Sequence, residues 1–448
     1  MVRRPAEDAA AEVDRLRERN GNAVVLSKGP GEWLGGCDPE RLARDFGTPL
    51  LVIDEALLRA SMRRFRAAFD RAGWRATVAY AGKALLLKAI ARIACDEGLD
   101  VVVCSLGELA TALDAGMPSN RYVLHGSYKT DAELDAAIER RVGTIVIDHA
   151  GEIGELGRRA RSAGVTCAVM VRINPGISAP THQHIRTAAP ESKFGFCVDD
   201  GQAIEAVRAV AREPGLKLTG VHCHVGSQIA DLETFGREAT VLADFALQAY
   251  HDTGIALDAI DAGGGLAISD GSVIAPSPEA WAACIYDALE RSLSGSDIPR
   301  PRLIVEPGRA LIGPAGTTLY RIGVRKRLAD GTVALIVDGG LSDNPRPALY
   351  EATYPVEIAK RRGDAPDGRY AIFGRHCETD SLFADVALPD PQPGDLLAVH
   401  GTGAYTYSMA SNYNRFCRPA VVLASGGAAR IIARRETVDR VLEMDVMN

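Results

Sequence analysis

The chain reads as an α/β protein: a (β/α)8 TIM-type barrel, followed by a second, mostly β domain to which the N-terminal segment also contributes. Three observations predict this. Short apolar runs alternate with amphipathic stretches from Thr77 to Val305, the mark of βα units in a parallel sheet. Eight such units over roughly 235 residues fit the size of a closed barrel. Beyond Pro307-Gly308, strand-like runs follow one another with little helix between them. Periodicity does not fix closure, so an open doubly wound sheet remains the alternative fold.

The elements follow in order. Residues 5–20 form a charged, Ala-rich stretch that predicts a peripheral helix. Phe46-Gly47-Thr48-Pro49 is a turn into the apolar strand Leu50–Ile53. Barrel strands are expected at Thr77–Tyr80, Asp100–Val103, Tyr122–Leu124, Thr144–Ile147, Ala168–Arg172, Leu218–Cys223, Ala259–Asp261 and Leu303–Val305. Helices are expected at Ala84–Glu97, Leu106–Ala115, Ala132–Arg140 and Gln202–Arg212 among others. The second domain should carry strands at Thr317–Val324, Val333–Asp338, Tyr370–Phe373, Leu396–His400, Ala420–Leu423 and Ala429–Arg434. The expected division is 1–54 for the N-terminal helix and strand, 55–310 for the barrel and 311–448 for the β domain.

Composition narrows the function. Over 448 residues, 47% hydrophobic and 24% charged residues match ordinary globular proteins and exclude a largely disordered chain. A net charge of −7 with no basic block argues against a nucleic-acid binder. No apolar run approaches the roughly 18 residues of a membrane span, and the acidic N-terminus lacks the apolar core of a secretory signal. Nine scattered cysteines without a CxxC predict reduced thiols in a cytoplasmic protein.

Reactive groups of a parallel barrel belong at the C-terminal ends of its strands. There the sequence places Lys83, Ser105 and Glu108, His125, Asp148, Arg172, His222 and His224, Gly263-Gly264-Gly265, and Glu306-Pro-Gly-Arg309. A lysine in a desolvated barrel mouth can form a Schiff base; the alternative is a surface lysine opening a helix. The glycine triplet offers backbone N–H groups to a phosphate, or is a tight structural turn. His222 and His224 share a strand face in a spacing that suits a metal, but no further ligands follow, so ring stacking or core packing is preferred and no metal is expected. A carboxylate at Glu306 needs a cationic partner, either a protonated pyridine nitrogen or Arg309. Cys377, flanked by Arg375 and His376, is the best candidate for a reactive thiol.

The ordered strings Tyr80-Ala-Gly-Lys83-Ala, Ser192-Lys-Phe-Gly195, His222-Cys-His-Val-Gly-Ser-Gln228, Gly263-Gly-Gly265, Glu306-Pro-Gly-Arg309, Arg346-Pro-Ala-Leu-Tyr350, Cys377-Glu378 and Gly403-Ala-Tyr405 carry a resemblance. The chain resembles the fold-type-III PLP-dependent decarboxylases, whose barrel is alanine-racemase-like. It is most similar to their diaminopimelate decarboxylase branch, with the ornithine and arginine decarboxylases more distant. The resemblance spans Gly47 to the Tyr413-Asn414 region.

It implies pyridoxal 5'-phosphate on Lys83, with His224 stacked on the pyridine ring and Glu306 on its nitrogen. Ser227, Gly263, Gly264, Gly265 and Tyr405 would bind the phosphate. Arg309, Arg346 and Tyr350 would bind a distal carboxylate of the substrate. Cys377 and Glu378 would reach the other active site of a homodimer, as proton donor and amine-binding group. The implied reaction is α-decarboxylation of an amino acid, with meso-diaminopimelate to L-lysine first. A related amino acid of siderophore or antibiotic metabolism, or a non-catalytic PLP-binding homologue, are the alternatives.

Three departures bear on the substrate. Leu85 stands where the family usually has Asn, and Ala188 where Gly is common. The family's Cys-Glu-Ser-Gly-Asp string is Cys377-Glu-Thr-Asp-Ser381 here.

Overall fold

The computed structural model describes residues 33–177, 191–271 and 273–447. The expected helix at 5–20 and the Thr187-Ala188 departure lie outside them. The chain's first strand, β1 (Leu50–Asp54), is followed by β2 (Ala76–Ala81), β3 (Asp100–Val103), β4 (Tyr122–Leu124), β5 (Thr144–Ile147) and β6 (Cys167–Asn174). After the two-residue β7 (Phe196–Cys197) come β8 (Leu216–His222), β9 (Ala259–Asp261) and β10 (Arg302–Val305). Strands β2 to β6 and β8 to β10 pair in parallel, and β5 pairs with β6, so the eight-stranded ring closes. The open sheet is ruled out.

Inside the ring, Ala79, Val102, Val123, Val146, Met170, Ala259 and Ile304 form one packed layer below the site. Gly220 on β8 leaves room for it: a Cβ there would lie 2.3 Å from the Ala259 carbonyl oxygen and 3.3 Å from Met170 Cε. A Gly220→Val substitution is therefore expected to cost about 1–3 kcal/mol by overpacking, readable as a lowered urea midpoint; an unchanged midpoint would show that this layer is loose. Outside, helices start promptly because the βα loops carry their own caps. Ser105 accepts the Glu108 N–H, Thr130 and Glu133 form a reciprocal capping box, and Asp231 caps Leu232–Thr253.

The second sheet is built on the twelve-residue β11 (Gly316–Arg327), which pairs antiparallel with β1. It continues through β12 (Val333–Val337), β13 (Val356–Ile358), β14 (Gly368–Phe373), β15 (Ser381–Leu388), β16 (Leu396–His400), β17 (Ala420–Ser425) and β18 (Ala428–Ala433). Because β1 lies between β11 and β17, the segment before the barrel is part of this sheet. Strands β13 and β15 were not expected. β15 mixes buried Leu382 and Phe383 with exposed Ala384 and Asp385, so it lacks a clean two-residue alternation.

Candidate active site

A cavity of about 320 Å³ opens at the C-terminal mouth of the barrel. Lys83 lines it from the short turn Gly82–Ala84, which follows β2 directly. The second domain grips this turn: the Tyr405 N–H donates to the Ala84 carbonyl at 2.8 Å, and Ser408 Oγ donates to the same oxygen at 2.9 Å. The buried Tyr80 hydroxyl donates to the Leu85 carbonyl at 2.6 Å. Leu85 and Leu87 both have extended backbone, so no helix runs through them. The helix expected from Ala84 accordingly starts at Lys88. Tyr405 has φ +60°, a conformation rare for a bulky residue, and that strain coincides with its place on the cavity wall.

At the cavity's inner end, His125 Nε2 lies 2.7 Å from Glu306 Oε1, and His222 Nε2 lies 3.5 Å from Glu306 Oε2. The two imidazoles meet edge to face with centroids 4.6 Å apart. Ligand-type atoms of His125, His222 and Glu306 fall within 4.8 Å of one another. The histidine pairing read from the sequence is thus corrected. β8 ends at His222, so the strand alternation does not reach His224. His224 instead accepts the Gly264 N–H on Nδ1 at 3.2 Å. The alternative Glu306–Arg309 pair is also absent, since Arg309 donates to Ser227 Oγ at 3.0 and 3.2 Å.

Burial works against the Glu306 carboxylate, but His125 and His222 outweigh it and hold its carboxyl well below the usual range. Burial pushes His222 down to about 3, against the Glu306 charge. The unfolded chain takes up that proton near the ordinary imidazole value of 6.5 while the fold does not, so His222 costs no stability above that pH. Stability should fall as pH drops from 6.5 towards 3, by on the order of 4 kcal/mol from this group. Urea titrations of wild type and His222→Gln across that window check the sign; parallel curves would contradict it.

The glycine triplet is sterically enforced. A Cβ on Gly263 would lie 2.5 Å from the Cys223 carbonyl oxygen, one on Gly264 2.2 Å from that of Glu306, and one on Gly265 2.5 Å from that of Gly226. Gly264, Gly265, Ser227 and Tyr405 all face the cavity. Arg309 stacks on Tyr405 at 4.7 Å, and Arg346 lies over Tyr350 at 4.8 Å and Tyr405 at 5.6 Å. Among the described residues neither guanidinium has a carboxylate within ion-pair distance. The nearby buried Asp343 is taken by the Tyr320 hydroxyl and the Gly340 N–H. Burial, then the Arg346 charge, lower Arg309 to about 10. Below that pH the unpaired cation costs stability, and an anion between the two arginines would recover it.

Cys377 and Glu378 do not line this cavity. Cys377 is exposed, with its N–H on Asn414 Oδ1 at 2.9 Å. Its sequence neighbours turn away: His376 binds Asp380 at 2.5 Å, and Arg375 stacks on Phe416 at 4.2 Å. The activation suggested by sequence adjacency is therefore not supplied within this chain. Asp380 takes the place of the family's glycine with φ +44°. Its carboxylate also accepts the N–H groups of His376 and Leu341, which fixes the Cys377-Glu378 loop.

Several lining residues went unassigned in the sequence reading: His125, Arg172, Phe194, Met409 and Cys104. Arg172 caps the Phe194 ring at 4.2 Å and lies 3.5 Å from Asp148, which also accepts the Gly195 N–H. Strand-end position pointed to His125 and Arg172, but gave neither a partner. Cys104 donates to Glu108, and burial pushes its thiol up to about 12.

Fold and cavity define a barrel enzyme with a lysine at one wall, a carboxylate at the inner end and a glycine-lined anion cradle. The family described as "Pyridoxal-dependent decarboxylase, pyridoxal binding domain" matches residues 55–313. The chain is 41% identical over 416 residues to diaminopimelate decarboxylase of Bacillus subtilis strain 168, covering 92% of this chain and 94% of that protein. It is 42% identical over 424 residues to the diaminopimelate decarboxylase of Mycobacterium tuberculosis H37Rv, covering 92% and 94%. Diaminopimelate decarboxylase from M. jannaschii, solved in complex with L-lysine, superposes with a TM-score of 0.86 at 32% identity, covering 92% and 95%. The chain belongs to the pyridoxal-dependent decarboxylases, within their diaminopimelate decarboxylase group.

Its cofactor is pyridoxal 5'-phosphate, and the residues present fit that group. Gly264 and Gly265 line the cavity without side chains, which leaves their backbone open to close approach by a phosphate. Buried Glu306, held as the anion, suits a protonated ring nitrogen.

Proposed function

We propose that the chain removes one carboxylate from meso-diaminopimelate to give L-lysine. The observation that carries this reading is the pair of guanidinium groups, Arg309 and Arg346, facing one cavity with no carboxylate of their own. A dicarboxylic substrate supplies the missing anion. Ornithine, lysine or arginine would bring a cation instead, at a cost of several kcal/mol. The names of the relatives and the lysine held by the M. jannaschii enzyme point the same way.

In this reading Lys83 holds the cofactor covalently, His224 lies against its ring, and Glu306 faces the ring nitrogen. Ser227, Gly263, Gly264, Gly265 and Tyr405 hold the phosphate. Arg346 and Tyr350 take the distal carboxylate, with Arg309 between them and Ser227. When bound, the cofactor supplies the electron sink that lets an α-carboxylate leave as CO2. The residues' task is to fix the breaking bond in the reactive orientation, by anchoring the substrate at its far end.

The proton returned to Cα, and the ligand of the distal amine, come from the partner's Cys377 and the partner's Glu378. The exposure of the Cys377-Glu378 loop, away from its own chain's cavity, supports a homodimer with shared sites. A racemase of this fold would need a second base opposite Lys83. We further assign the division 1–54, 55–310 and 311–448, supported by the placement of β1, and a cytoplasmic location, supported by nine free cysteines. No described helix is long and apolar enough to cross a membrane.

Borohydride treatment of the yellow holoenzyme should abolish the visible band and leave the cofactor mass on the peptide bearing Lys83. A colourless protein that cannot be reconstituted with PLP would overturn the site assignment.

A further inference from the structure

One stretch of chain, residues 405–416, starts on the cavity wall with Tyr405 and Met409 and ends against the Cys377-Glu378 loop. Near its end Asn414 and Arg415 both take left-handed backbone, at φ +51° and +62°. Few side chains other than asparagine enter that region readily. The turn is anchored from behind. Asn412 Nδ2 donates to the Phe416 carbonyl at 3.0 Å and to Glu436 Oε2 at 2.6 Å. The Ser411 N–H donates to the Ser342 carbonyl at 2.8 Å, and Arg415 pairs with Asp445 at 2.6 Å.

What this turn holds is the loop of Cys377. The His376 ring lies nearly parallel to that of Tyr413, 18° apart with centroids at 5.8 Å, and meets the Phe416 ring edge to face at 4.8 Å. Asn414, between those two aromatics in sequence, accepts the Cys377 N–H on Oδ1 at 2.9 Å. Asp380 grips His376 through Nδ1 and through its backbone N–H. The residue before Cys377 is thus fixed from two sides, and the Asn414 bond sets Cys377 itself. Cys377 is exposed, and water could satisfy an exposed N–H, so stability alone does not call for this bond. Left-handed backbone spent on such a bond points to a positional demand.

We propose that Asn414 is a positioning residue for the reaction in the other chain's site, setting the place from which Cys377 returns the proton to Cα. This rests on the reading in which Cys377 serves the partner chain. Proton transfer needs the thiol within hydrogen-bond reach of the carbon it serves, and a misplacement of about 1 Å can cost a hundredfold in rate. Asn414 touches no reacting atom and acts only through the Cys377 backbone. A defect at Asn414 must therefore appear in the partner's site and not in its own.

The test uses hybrid dimers of a Lys83→Ala chain and a Cys377→Ala chain, in which the single intact site takes Cys377 from the former and Lys83 from the latter. Asn414→Gly removes the acceptor oxygen, while glycine adopts the left-handed backbone freely. On the Lys83→Ala chain, which supplies Cys377, it should lower CO2 release at saturating meso-diaminopimelate by roughly tenfold or more. On the Cys377→Ala chain it should leave the hybrid as active as the reference. Asn414→Asp keeps an oxygen for the Cys377 N–H, and on the Lys83→Ala chain should restore most of the activity lost with glycine. Equal loss in both placements, loss in neither, or an aspartate variant as weak as the glycine one would overturn the proposal. An inactive reference hybrid would instead overturn the shared-site reading, and the proposal with it. Should the glycine chain fail to fold, Asn414→Ser, whose hydroxyl falls one bond short of Cys377, is read in the same two placements against the same outcomes.

Discussion

Replacing Arg346 by alanine is expected to lower kcat/KM for meso-diaminopimelate by about 100-fold, most of it in KM. Arg346 is buried, packs over Tyr350 and Tyr405, and leaves Nε without a partner. A distal carboxylate engaged by that planar fork makes charge-assisted hydrogen bonds in ground state and transition state alike, which is why KM should take the loss. Arg309 is the less selective probe, because its contact with Ser227 links it to the phosphate end as well. The discriminating control is lysine, which has no second carboxylate. Its slow turnover should not fall in the Arg346→Ala variant, since removing a cation opposite its ammonium is no penalty. Equal loss for both substrates would assign Arg346 to the cofactor or to folding.

Lys83→Ala and Cys377→Ala chains should each be inactive, by roughly a thousandfold or more, and should regain activity when mixed and allowed to exchange subunits. Random exchange makes half the dimers hybrid, and each hybrid holds one intact site of two, so about a quarter of wild-type activity is expected. The geometry behind this is the separation of the two residues within one chain: Lys83 lines the cavity, whereas Cys377 is exposed on a loop fixed by Asp380, Asn414 and Leu341. If demonstrated hybrids stay inactive, Cys377 serves its own chain or has no part in catalysis.

The barrel was legible because its strands are buried on both faces and read as unbroken apolar runs, and because the reactive residues end those runs. Ring closure depends on the β5–β6 pairing, which leaves no periodic trace. The false helix start at Ala84 has a similar origin, since the groups that occupy its carbonyl, Tyr405 and Ser408, are more than 300 residues away. Cys377 shows the opposite failure: its charged neighbours in sequence point elsewhere in space, and Asp380, which looked like a change of substrate pocket, holds the loop in place.

α-Decarboxylation of a dicarboxylic diamino acid is measured by CO2 release from meso-diaminopimelate, lysine, ornithine and arginine under one set of conditions, with chiral analysis of recovered substrate. CO2 is expected from meso-diaminopimelate with a kcat/KM at least 100-fold above the others, and recovered substrate of unchanged configuration. Preference for lysine or ornithine, or racemised substrate without CO2, would contradict it.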